Sequence, residues 1–163
     1  MIFDIDVSGE DLFSVNYVIC IANKDSIRGF KFNSNIITVI NSRPGQDFYR
    51  YGKSKKGKVN LKIRIYWVVL FYLFDSIKEK IADKEIDLNI CKDFDGKEND
   101  IKMNLIYFLI KRLHLNLNSI NFGKLESNSN AHHYAYLMRQ DNKNLIKNYI
   151  SLKLDDLEKY LIK

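Results

Sequence analysis

The sequence predicts an α/β fold, and three observations carry that prediction. Three short apolar runs divided by turn signals fill the first forty positions, and strand-like and helix-like segments alternate through the second half. With 163 residues, 46% hydrophobic and 28% charged, the chain has the length and balance of one folded domain spanning 1–163. That balance excludes a disordered chain, and the length excludes a two-domain enzyme.

The elements follow in order. Residues 1–7 alternate apolar and polar side chains and stop at the Ser8-Gly9 turn signal, which predicts a first strand. A second apolar, branched run covers 16–23, Asp25 marks a turn, and a third strand is expected between 27 and 40. Together these read as an antiparallel meander. Ser42-Arg43-Pro44-Gly45 breaks the pattern, so a long polar loop is expected as far as Gly57.

Val59, Leu61, Ile63 and Ile65 alternate like a strand, while Ile65, Val68, Val69, Tyr72, Leu73 and Ile77 recur at helical spacing; length favours a helix over 61–82. A short strand over 86–92, an amphipathic helix over 98–113 and a weaker strand over 119–125 come next. Ser127-Asn128-Ser129-Asn130 supplies capping chemistry for a helix from Ala131, and Leu145, Tyr149, Leu157 and Leu161 predict a C-terminal helical tail over about 142–163. Right-handed crossovers in the second half set the first and fourth strands side by side in a mixed sheet. Sites in open sheets gather at the carboxyl ends of such strands.

Both of those strand ends carry acids. Asp4 and Asp6 leave the same face of the first strand, and Asp93 and Asp95 repeat that spacing after the fourth. Turn chemistry and solvation explain either pair alone, but two pairs on neighbouring strands repel one another unless a cation lies between them, which points to a hard divalent metal. His132, Ala135, Tyr136 and Arg139 share one face of the helix from Ala131, so His132 can turn back toward the strand ends as a ligand or proton carrier. His133 faces elsewhere, and His114 suits a helix C-terminus.

These residues carry a resemblance to the ribonuclease H-like nuclease superfamily over most of 1–140. Asp6-Val7-Ser8 resembles the first-strand motif of endonuclease V and of the carboxy-terminal nuclease domain of the bacterial excision-repair nuclease. Phe94-Asp95-Gly96 resembles their second aspartate motif, Lys92-Asp93 the basic-Asp step of PIWI domains, and Ala131-His132-His133-Tyr134-Ala135 the repair nuclease's histidine helix. The resemblance implies a five-stranded mixed sheet in the order 3-2-1-4-5 with helices on both faces. It also implies a metal-dependent nuclease whose Asp6, Asp93 or Asp95, and His132 hold Mg²⁺ or Mn²⁺, with Asp4 beside them. Many members add a glutamate in or before the first long helix, whereas 61–74 contains no acid and Asp47 and Asp75 are poorly placed. Either three ligands suffice, with Glu126 as a possible extra one, or the site binds nucleic acid without cutting it.

The partner class is also read from charge. The formal net charge is +6, and Arg50, Lys53, Lys55, Lys56, Lys58, Lys62 and Arg64 lie in an acid-free stretch that Phe48, Tyr49 and Tyr51 precede or interrupt. Lysines of this kind suit a phosphate backbone and the aromatics suit exposed bases, so Arg50, Lys53, Lys55, Lys56 and Lys58 with Tyr49 and Tyr51 are the expected nucleic-acid surface. Such contacts give affinity with little sequence preference. Cys20 and Cys91 stand in apolar runs and read as buried free thiols, with neither a disulfide nor a zinc site expected. Acids near the amino terminus are unlike a signal peptide, and the longest apolar run, 65–74, is too short to cross a bilayer, so a cytoplasmic protein without a membrane partner is expected. Oligomeric state is left open.

Overall fold

The computed structural model describes residues 1–163. Strands β1 (Ile2–Ser8), β2 (Val18–Ala22) and β3 (Ile27–Lys31) form the meander, and β4 (Glu85–Cys91) and β5 (Asn116–Gly123) extend it into a five-stranded sheet ordered β3-β2-β1-β4-β5. The pairs β1–β2 and β2–β3 are antiparallel, whereas β1–β4 and β4–β5 are parallel. The mixed α/β sheet thus has the order expected from the sequence.

One face of this sheet is apolar across its central strands. Phe3, Ile5, Ile19, Ile21, Leu88 and Ile90 pack there with helices α2 (Lys55–Asp75) and α4 (Glu98–Ile106), and the Phe3 ring meets Phe74 edge to face at 5.4 Å. Helix α5 (Asn130–Gln140) crosses β1, β2 and β3 on the other face. It sits close because its inner residues are small: Ala131 and Ala135 are fully buried, and the Met138 sulfur lies over Gly29, where any Cβ would come within 2.3 Å of it.

Several boundaries differ from expectation, each for a local reason. The third strand ends at Lys31, and Ser34–Ser42 forms an extra helix, α1. Its branched residues favour a strand, but Asn33 caps it by accepting the Ile36 N–H at 2.9 Å, and Ile36, Ile37 and Ile40 fall on one buried stripe. Helix α2 starts at Lys55, inside the expected loop, because Ser54 caps it through the Gly57 N–H at 3.0 Å. It ends at Asp75, and a separate turn of helix, α3 (Lys78–Ile81), follows. Beyond α4 the helix widens into a π-helical stretch over Tyr107–Arg112.

The expected C-terminal helical tail over 142–163 does not form; only Leu154–Glu158 is helical, as α6. The Asp141 carboxylate accepts the Leu145 and Ile146 N–H groups, and Asn144 is left-handed at φ 51°, so the chain turns where a helix would have continued. The edge of β3 then offers backbone partners. Gly29 donates to the Asn148 carbonyl at 2.9 Å and accepts from the Ile150 N–H at 2.8 Å, which covers that edge. Leu157 and Leu161 are buried in the main core. No helix is long and apolar enough to cross a membrane.

Candidate metal centre

Strand register assembles the site. Asp4 faces Asn89 and Ile5 faces Ile90 across the parallel β1–β4 pair, so the next step sets Asp6 beside Cys91 on the face that α5 partly covers. Asp93 follows just past the end of β4. One donor atom each from Asp6, Cys91 and Asp93 lie within 4.8 Å of one another.

Asp6 is the buried member, at 5% exposure. Its Oδ1 accepts the Val7 N–H at 2.9 Å, and its Oδ2 lies 2.8 Å from His132 Nδ1. Ser129 caps α5 by accepting the His132 N–H, and the two small inner alanines bring this first turn onto β1, so a short imidazole reaches a strand aspartate. His132 meets the trio through Asp6, and its outer side is open to solvent.

The electrostatics leave the two carboxylates short of positive charge. Neither Asp6 nor Asp93 is paired with a lysine or arginine: Lys92 turns to Glu98 at 3.3 Å and Asp95 at 3.8 Å, and Lys62 to Asp11 at 2.6 Å. Desolvation by surrounding protein, and then the Asp6 charge, push the Asp93 carboxyl up to about 6. Burial and the charges of Asp6 and Asp93 push the Cys91 thiol up to about 12. Beneath the cluster, Tyr17 and Tyr66 are buried phenols held above their usual range first by burial and then by nearby charges, Asp93 among them, so they stay neutral. The Tyr66 ring packs on Phe94 at 5.0 Å and fixes the segment that carries Asp93.

Of the expected ligands, the structure brings together Asp6, Asp93 and His132. Asp95 does not join them; its side chain is 90% exposed and lies 3.8 Å from Lys92 Nζ, just before the left-handed turn at Gly96, φ 76°. Asp4 is also outside the trio. It sits two residues back along β1 and accepts a hydrogen bond from the Asn89 amide at 3.2 Å. Glu126 lies at the rim of a neighbouring cleft. Cys91 was the unexpected donor, and its signal was the period of two: Asn89, Cys91 and Asp93 alternate onto one face as Asp4 and Asp6 do.

The expected nucleic-acid surface divides. Tyr49 is 2% exposed and part of the core, and Tyr51 is half-buried against it, so Tyr49, contrary to expectation, cannot stack on a base. Arg50 donates through Nε to the Ile162 carbonyl at 2.6 Å. Lys53, Lys55, Lys56 and Lys58 are exposed. The last three open α2, whose first turn has no acid, so they add to the positive end of the helix dipole. That end of α2 runs past the strand ends bearing the centre: Lys62 reaches Asp11 beyond β1, and Asn60 accepts from Lys97 at 3.4 Å beyond β4.

No protein-family model, curated protein or solved structure matches the chain.

Proposed function

We propose that the protein is a divalent-metal-dependent phosphodiesterase acting on DNA or RNA, built like the Asp-Asp-His branch of the ribonuclease H-like nucleases. One observation carries this reading: the His132–Asp6 contact at 2.8 Å beside an Asp93 carboxylate, with no lysine or arginine to neutralise the pair. Asp6 and Asp93 are the residues to hold Mg²⁺ or Mn²⁺, and they fit because carboxylates suit both ions. When bound, such a cation orients the attacking water and stabilises the leaving oxygen. Asp6 holds the imidazole through Nδ1, which leaves Nε2 toward solvent to accept or deliver a proton. The lysines at the start of α2 hold the phosphate backbone on the same edge of the sheet. Free cysteines, one of them inside the centre, suit a reducing compartment such as the cytoplasm.

A second reading, a nucleic-acid-binding module that does not cut, is favoured by one feature: α2 offers Asn60, Lys62 and Tyr66 near the centre but no carboxylate. Labelled single-stranded and duplex DNA and RNA incubated with Mg²⁺ or Mn²⁺ decide between them. Metal-dependent cleavage that Asp6→Ala removes, about 10³-fold or more, while binding persists, supports the phosphodiesterase. Binding without cleavage by the wild-type chain selects the second reading.

A further inference from the structure

Next to the metal centre, the same face of the sheet opens into a cleft of about 600 Å³. Its floor is one row of side chains. Asp4 faces Asn89 across β1–β4, and Asn89 faces Asn121 across β4–β5. This row lies one pleat before the row that sets Asp6 beside Cys91, a step of about 6.6 Å along the strands. Lys24 and Lys124 stand at opposite rims, and the wall between β2 and α5 is clasped by the Asn130 amide donating to the Asn23 carbonyl at 3.1 Å.

The floor is rich in unspent hydrogen-bonding groups. Asp4 accepts one bond from Asn89 and keeps its second oxygen free. The Asn121 amide makes only a long contact, 3.4 Å, to Ser119, so its carbonyl and one N–H remain for a solute. Amide and carboxylate groups side by side match a ligand that both donates and accepts, as ribose hydroxyls and base edges do, and the rim lysines match phosphate. The volume is that of a small-ligand site, roughly 300–1,000 Å³, and a paired duplex cannot enter it.

We propose that this cleft seats one unpaired nucleotide, with its sugar or base on Asp4, Asn89 and Asn121, adjoining the phosphodiester presented to Asp6 and Asp93. The proposal rests on the phosphodiesterase reading of that centre. It makes the preferred substrate a single strand or a frayed end rather than intact duplex, because only an unstacked nucleotide reaches the floor.

The test is titration of the metal-free protein, in excess chelator, with adenosine and uridine 5′-monophosphates, against inorganic phosphate as the control. The side-chain amide resonances of Asn89 and Asn121 are followed by NMR. Saturable shifts with the nucleotides and none with phosphate are expected, and Asn121→Leu, an exposed position that leaves the core untouched, weakens the nucleotide about tenfold. In cleavage assays the wild type prefers single-stranded over duplex substrate by about tenfold, and Asn121→Leu erodes that preference. Absence of nucleotide-dependent shifts at millimolar ligand overturns the cleft, as does unchanged affinity in Asn121→Leu. Nucleotide binding with no cleavage of any substrate leaves the cleft standing and removes the phosphodiesterase; cleavage without nucleotide binding does the reverse.

Discussion

The two faces of the sheet obey opposite rules although the same strands build both. Toward α2 and α4, β1 and β4 present Phe3, Ile5, Leu88 and Ile90, all buried. Toward α5 and the cleft, the intervening positions are Asp4, Asp6, Asn89 and Cys91. A solvated face needs only scattered mixed charge, but Asp6 is 5% exposed and has an imidazole, not a lysine or arginine, for its partner. Burial of a carboxylate in that setting works against stability. One face is therefore organised for folding, and the other holds groups that folding alone does not require.

The sharpest way to break that contrast uses neighbouring residues. Ile5→Ala removes a fully buried side chain from the packed face and is expected to cost about 2–5 kcal/mol. Asp6→Asn, one residue on, is expected to leave the metal-free protein equally stable or slightly more so and, on the phosphodiesterase reading, to remove cleavage. Chemical denaturation of both variants in chelator makes the comparison. If Asp6→Asn destabilises as much as Ile5→Ala, Asp6 is a structural group and the contrast between faces fails.

The two parts of the basic segment differ in the same way. Lys55, Lys56 and Lys58 are exposed at the dipole-positive end of α2, whereas Tyr49 is sealed in the core. Changing all three lysines to Gln is expected to weaken nucleic-acid binding about tenfold or more at low salt. The slope of log affinity against log salt should fall by about 2 to 3, since each lost phosphate contact contributes about 0.7–0.9. Tyr49→Phe should leave that slope unchanged. An unaltered slope in the triple variant would place the phosphate contacts elsewhere.

A smaller effect concerns Asp93, whose carboxyl is pushed up to about 6 by desolvation and the Asp6 charge. Its folded-state value exceeds the unfolded one, about 4, so the folded chain holds the proton after the unfolded chain has released it. Stability of the metal-free protein therefore falls as pH rises from about 4 to about 6. Solvent reaches Asp93, and screening limits the change to about 1 kcal/mol. Asp93→Asn should flatten this part of the profile, and saturating Mn²⁺ should reverse it, because the cation binds the ionised folded form. Metal affinity should weaken about tenfold per unit as pH drops below 6. Thermal melts across pH 4–8, with and without Mn²⁺, check both signs.

Strand order and the two ends of the site were legible because they depend on period and order. Alternation over 1–7 and 86–92 set the faces, and crossover handedness put β1 beside β4, which brings Asp6 toward Asp93. What was not legible depended on local bonds that override propensity. Asn33 and Ser54 start helices in segments that read as strand and loop, and the Asp141 carboxylate turns a tail whose apolar spacing read as helix. The choice between Asp93 and Asp95 was hidden for a similar reason. Asp95 ends 90% exposed beside Lys92, at the turn completed by Gly96, and the two-residue spacing does not reveal that turn.

Cys91 supplies the finest test of what the polar face is for. In the metal-free protein its thiol is held up at about 12, so it is neutral, and its approach to Asp6 and Asp93 can be mere packing on the register that brings β1 and β4 together. If it instead takes part in the centre, the thiol must release its proton to solvent as the cation takes the proton's place on sulfur, which requires a cation that accepts soft donors. Mn²⁺ stands above Mg²⁺ in that respect, as Mg²⁺ takes oxygen ligands almost exclusively. Participation therefore predicts that the wild type binds Mn²⁺ more tightly than Mg²⁺ by a margin that Cys91→Ser narrows a few-fold, mainly by weakening Mn²⁺. Calorimetric titration of both ions into both proteins measures that margin. An unchanged ratio assigns Cys91 to packing and leaves Asp6 and Asp93 as the donors, with His132 held on Asp6, whereas a narrowed one extends the centre by a ligand that the sequence concealed in an apolar run.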